Sequence, residues 1–201
     1  MDSLKNLFIS AVITISSYSY SIEINDILLP FNEYSALRLL AKSKVSTIQL
    51  PALFNSDIND IYGEDKNNNQ FRDDYEAMLL SNYQHPEYVA MGLLSAKHWK
   101  LLLDIHNNNL TITDKKHAKA ILELSLEINH CYYHLQRIDK DLHSPLLSYF
   151  NTEQRLTAKK DAEQKLFSLI GKQQESRSHE RLPCEVFSTM LSAELDSAVS
   201  S

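Results

Sequence analysis

The run Asp65 to Glu76, D-K-N-N-N-Q-F-R-D-D-Y-E, sets oxygen-bearing side chains at positions 1, 3, 5, 9 and 12 of a twelve-residue stretch. A hard cation takes six to eight oxygens at about 2.3–2.6 Å, and a short loop supplies them when alternate residues point inward and a carboxylate closes the shell from the following helix. Asp65, Asn67 and Asn69 would give side-chain oxygens, Phe71 its backbone carbonyl, Asp73 a direct or water-mediated contact, and Glu76 both carboxylate oxygens. Calcium is therefore the expected cofactor.

Two positions depart from the EF-hand pattern. Position 6, where the chain turns with positive φ and Gly is usual, is Gln70, a strain of roughly 1–2 kcal/mol. Position 8, normally apolar for pairing with a second loop, is Arg72. Leu53 to Glu64 carry Asn55, Asp57, Asn59, Asp60 and Gly63 behind Pro51, which suits no full incoming helix. The expectation is a lone EF-hand-like loop with only an outgoing helix, binding calcium with a dissociation constant on the order of 10⁻⁴–10⁻³ M. Asn and Asp are also ordinary turn residues, so the same run suits a solvated turn that holds no metal.

A second constellation is Glu127, His130 and His134, at i, i+3 and i+7 of a helical segment, where their side chains share one face. A catalytic metal there would need a ligand from another helix, for which His98, His106 and His117 are the candidates. The plainer reading has His130 and His134 flanking an apolar seam with their polar edges in water. His98, beside Trp99, reads as a rim residue of the core, and Tyr88, Tyr132 and Tyr133 as packing residues. No H-E-x-x-H motif occurs, nor any Gly-rich phosphate loop, nucleophile elbow or dinucleotide fingerprint, since the only glycines are Gly63, Gly92 and Gly171.

The elements that must position these residues read as helices. A short helix is expected near Glu33 to Lys42, punctuated by Pro30 and Pro51. The outgoing helix starts at Asp73 or Asp74, whose carboxylates suit a helix N-terminus, and runs to about Tyr83. The next begins at Pro86, carries the seam Tyr88, Met91, Ser95, Trp99, Leu102 and Ile105, and breaks at Asn107-Asn108-Asn109. Thr113 is the expected cap of a third, which carries Ile121, Leu124, Ile128, Cys131, Leu135 and Ile138 and extends to about Asp139. A fourth runs from Asn151, with Gln154 placed for a capping box, to Gly171. No period-two strand pattern competes, so the fold expected is all-α, a small bundle of about four main helices.

The chain has 201 residues and 43% hydrophobic content, enough for one core. Its net charge of −6, with basic residues spread out, argues against nucleic-acid binding. Lys5 followed by an apolar stretch over Leu7 to Ile15, then Ser17, Ser19 and Ser21, reads as an export signal over residues 1–21; cleavage after Ser19 or Ser21 fits. The apolar stretch is short of the roughly 20 residues a membrane span needs, so no span is expected after cleavage. A single helical domain is expected over 22–185, followed by a C-terminal tail over 186–201. The two cysteines, Cys131 on the seam of the third helix and Cys184 after a polar stretch, read as one disulfide in a periplasmic or secreted protein.

The order Asp65, Asn67, Asn69, Arg72-Asp73-Asp74, Glu76, then Cys131, Asn151-Thr152 with Arg155, Gly171 and Cys184 resembles a group of uncharacterised exported proteins from marine gammaproteobacteria. That group combines a D-x-N-x-N-G-x-R-D-D-x-E loop, an all-helical body, an N-T-x-x-R element and a late second cysteine. The resemblance implies an exported, calcium-binding helical protein and implies no activity. The functional expectation is a non-enzymatic binding or interaction module with an unidentified protein partner. The alternatives are a metal-dependent hydrolase using the His130/His134 face and a periplasmic immunity protein.

Overall fold

The computed structural model describes residues 31–45, 60–171 and 182–196; the expected signal segment over 1–21 lies outside them. Every element in the described residues is helical: α1 (Glu33–Lys42), α2 (Asp73–Asn82), α3 (Pro86–His106), α4 (Lys115–Ile138), the single turn α5 (Leu146–Tyr149), α6 (Glu153–Ile170) and α7 (Glu185–Asp196). The all-α expectation holds, with more elements than the four main helices foreseen. None of these helices is long and apolar enough to cross a membrane.

The helix starts follow local chemistry, shifted by one residue at two places. Asp114, not Thr113, caps α4, its Oδ1 accepting from the Lys116 and His117 amides at 2.8 and 3.1 Å. Thr152, not Asn151, caps α6, its Oγ1 accepting from the Arg155 amide at 3.2 Å. Both neighbours in each pair are competent caps, so propensity alone does not separate them. The shift places Arg155 where a capping box needs Gln154, and it leaves the Asn151 side chain available for tertiary contacts. Gly171, at φ 73°, ends α6 as expected.

α3 forms the axis of the molecule. It is buried on all sides, from Tyr88 and Val89 through Trp99 to Ile105, as expected of a helix apolar around its whole circumference. α1 and α6 pack against it, and α4 lies against α6 and α7. The seam of α4 holds Ile128, Cys131 and Leu135 as expected, but Ile121 and Leu124 are only partly buried and Ile138 is exposed. Leu122, Ser125 and Tyr132 complete the inner face instead, because α4 meets two helices and its buried stripe is wider than one heptad seam.

Residues 186–196, expected within a loose tail, belong to α7, whose Val186, Phe187 and Leu191 are buried. Phe187 meets Phe31 and Tyr132 edge-on, with centroids 6.3 and 5.8 Å apart. Cys131 and Cys184 are disulfide-bonded, with Cα atoms 4.7 Å apart, so the bridge holds the start of α7 against α4. Closing a segment with 53 residues of separation stabilises by about 4 kcal/mol in the chain-entropy account.

Candidate functional site

The 65–76 loop leads directly into α2, and residues 60–64 before it are not helical, which matches the expected missing incoming helix over its described part; residues 53–59 lie outside the described residues. Gln70 takes the left-handed conformation at φ 74°, as a glycine would at that position, and Asn68 does the same at φ 54°. Asp65 organises the turn: Oδ1 accepts from the Asn69 amide at 3.1 Å and Oδ2 from the Gln70 amide at 2.8 Å. The Asp73 amide donates to Glu64 O at 2.8 Å and its carboxylate accepts from the Lys66 amide at 3.2 and 3.3 Å, closing the loop on itself.

Three of the expected ligands meet at Glu76. Its Oε1 accepts from Asn69 Nδ2 at 2.7 Å and its Oε2 from Asn67 Nδ2 at 3.3 Å, so positions 3, 5 and 12 of the loop converge. Asn69 Oδ1 faces the Phe71 amide at 2.9 Å, and its Nδ2 also reaches Ser43 O at the end of α1, 3.0 Å away. Asp65 and Asp73 are held by backbone amides on their own sides. Among the described residues no three His, Cys, Asp or Glu side chains gather closely enough to hold an ion by themselves. A calcium shell here would therefore draw on the Asn and backbone oxygens as well.

The electrostatics favour a cation. Asp73 is 2% exposed and Glu76 3% exposed, and neither has a Lys, Arg or His ion-pair partner among the described residues. Burial pushes the Glu76 carboxyl above its ordinary value; the Asn69 and Asn67 amides counter this, and the Asp73 and Asp65 charges add to it. Burial likewise raises Asp73, opposed by the Lys66 amide and reinforced by Asp65 and Glu64.

Two arginines clamp the loop to the helical body. Arg72, which pattern alone treats as a misfit, turns inward and is 6% exposed. Its Nη1 donates to Tyr149 O at 2.9 Å and Nη2 to Ser148 O at 3.2 Å, Nε pairs with Asp74, and the guanidinium lies 5.2 Å over the Tyr149 ring. Arg155, 1% exposed, donates from Nε to Ile61 O at 2.9 Å, from Nη2 to Asp60 O at 3.1 Å and from Nη1 to Asn151 Oδ1 at 2.6 Å. Asn151 Nδ2 continues to Asp74 at 3.3 Å and links the two clamps. The N-T-x-x-R element thus has a structural reason: Asn151 bridges, Thr152 caps α6, and Arg155 grips the chain entering the loop.

Gly63 makes room for both. It sits at φ 74°, and a Cβ there would fall 2.1 Å from Arg72 Cδ and 3.0 Å from Arg155 Nη2. One of only three glycines placed just ahead of the loop was the signal in the sequence; the role of the arginines had none, because their partners are backbone carbonyls far along the chain. Beside the loop opens a cleft of about 500 Å³, whose lining includes Tyr62, Gln70, Phe71, Arg72, Lys100 and Asp104. The Tyr62 hydroxyl donates to Asp104 Oδ1 at 3.0 Å and accepts from Asn109 Nδ2 at 2.8 Å.

Among the described residues the histidines are dispersed except for one pair. His130 and His134 meet, Nε2 to Nε2, at 3.0 Å, and no third ligand such as Glu127 joins them among the described residues. His98, expected at the rim, is instead 2% exposed with Nε2 2.7 Å from Ser125 Oγ. His106 pairs with Asp161 at 2.8 Å, and His117 with Asp114. The cross-helix ligand a catalytic metal would need is therefore not brought to the pair by any of the three candidates. Tyr88 and Tyr132 are packing residues as expected, whereas Tyr133 is exposed. No family model, curated protein or solved structure matches the chain.

Proposed function

We propose that the 65–76 loop is a low-affinity calcium site and that the protein is an exported, non-enzymatic binding module whose cleft wall the ion holds in place. The observation that carries this reading is the meeting of Asn67 and Asn69 at the buried Glu76 carboxylate, on a loop whose sixth residue already has positive φ. With calcium bound, the Asn67 and Asn69 side-chain oxygens and the Glu76 carboxylate would face the cation, which replaces the amide hydrogens as the positive partner of that carboxylate. Gln70, Phe71 and Arg72 belong to both loop and cleft, so order in one is order in the other.

The test is a calcium titration of the metal-stripped chain followed by melting temperature and by direct binding. Stabilisation should appear only as calcium passes the dissociation constant, in the range on the order of 10⁻⁴–10⁻³ M. Glu76→Gln should abolish it, whereas Gln70→Gly, at a residue that already has positive φ without metal, should raise stability by about 1 kcal/mol with and without calcium alike. A folded wild-type protein whose melting temperature stays unmoved to about 10 mM calcium, beyond the range of such sites, would show that the loop is a turn.

A further inference from the structure

The face of α4 carrying His130 and His134 is a site of a different kind. The two residues are one helical turn apart, where side chains at i and i+4 stand one above the other. Their Nε2 atoms are 3.0 Å apart and the ring centroids 4.4 Å, with the planes at 72°. At that distance a single hydrogen joins them: one ring donates from Nε2 and the other accepts through its lone pair, so both nitrogens already address the same point.

From this geometry we propose that His130 and His134 chelate a borderline divalent transition metal, Zn²⁺ being the representative, at a site separate from the calcium loop. Imidazole nitrogens bind such ions at about 2.0–2.1 Å. With the nitrogens 3.0 Å apart, an ion at that distance from each subtends about 94°, close to the roughly 90° of an octahedral or square site and within about 15° of a tetrahedral one. With the metal bound each ring carries its hydrogen on Nδ1 and lends the Nε2 lone pair, and the cation occupies the place of the hydrogen between the rings. Both rings are partly exposed, so water can reach the ion and fill its remaining positions. Neutral nitrogen donors select against calcium, which takes oxygen. The site is thus chemically orthogonal to the loop.

The experiment is isothermal titration of the metal-stripped full chain with zinc chloride in the presence of excess calcium, which removes any contribution of the loop. Wild type should bind zinc, His130→Asn and His134→Asn should each weaken it by about tenfold or more, and the double variant should lose it. His117→Asn and His143→Asn, on exposed residues elsewhere, should leave it unchanged. Melting temperatures without metal establish that each variant is folded. A second readout needs no substitution: one equivalent of Cu²⁺ should give an electron paramagnetic resonance spectrum with hyperfine splitting from two nitrogens. Zinc uptake equal in the wild type and the double variant, or no uptake by the folded wild type, would overturn the assignment, whatever the calcium titration shows.

Discussion

His98 makes the stability of the protein depend on pH between neutrality and pH 4. The ring is 2% exposed, and its Nε2 is 2.7 Å from Ser125 Oγ, whose own hydrogen goes to Ile121 O at 3.2 Å. Nε2 must therefore carry the proton and donate, leaving Nδ1 buried without a partner. A second proton would place a charge and an unmatched donor in the apolar interior, and burial lowers the His98 pKa from 6.5 to about 4. The folded value lies below the unfolded one, so the folded state favours the neutral ring. Stability is full above pH 6.5 and falls as the pH drops towards 4. At 1.36 kcal/mol per pH unit the loss is about 2 kcal/mol by pH 5 and about 3 kcal/mol in full.

Other carboxylates act differently over that range. Asp73 and Glu76, raised by burial, favour the folded state as they protonate and oppose the trend, while Asp114 and Asp161, held low by the His117 amide and by the His106 side chain, count only as the pH nears their ordinary 3.8. The assay is therefore a difference: urea unfolding at pH 7, 6 and 5 for the wild type and for His98→Gln, which keeps a donor towards Ser125 but does not titrate. The wild type should lose about 2 kcal/mol more than the variant between pH 7 and pH 5. Parallel losses, or a His98 that titrates near 6.5 by nuclear magnetic resonance, would refute the reasoning.

Gly63→Ala should unseat both guanidinium groups and lower stability by about 2–4 kcal/mol, with weaker calcium binding, read by urea unfolding and titration. Arg155→Met should do comparable damage by stranding the Asp60 and Ile61 carbonyls, and Arg155→Lys should rescue little, because one ammonium cannot match three donors in a fork; stability measured across the pair checks this. Replacing Cys131 and Cys184 together by Ala should lower stability by about 4 kcal/mol, a fall in melting temperature of roughly 8–16 °C. With both cysteines buried, the bridge in the folded wild type should resist a reductant that opens it after unfolding, as thiol counting would show.

Much of this protein is written locally. The apolar spacings of α3, Pro86 at its start, the Asn107–Asn109 break and the Gly171 stop are decided within a few residues, and so the elements were legible. The bond between Cys131 and Cys184 was legible from number and pattern alone. The candidate ligands in the loop could be nominated because their spacing is a local property, and Gln70 adopts the positive φ expected at its place in the loop. Longer-range outcomes were not legible. Whether Asn151 or Thr152 caps α6, whether His98 lies at the rim or inside, and whether 186–196 trails or folds back depend on which helices meet there. Arg72 and Arg155 show the limit best. Each binds carbonyls 76 to 95 residues away. Backbone carbonyls carry no residue identity, so no pattern along the chain announces such a contact; only the packing of α5 and α6 beside the loop creates it.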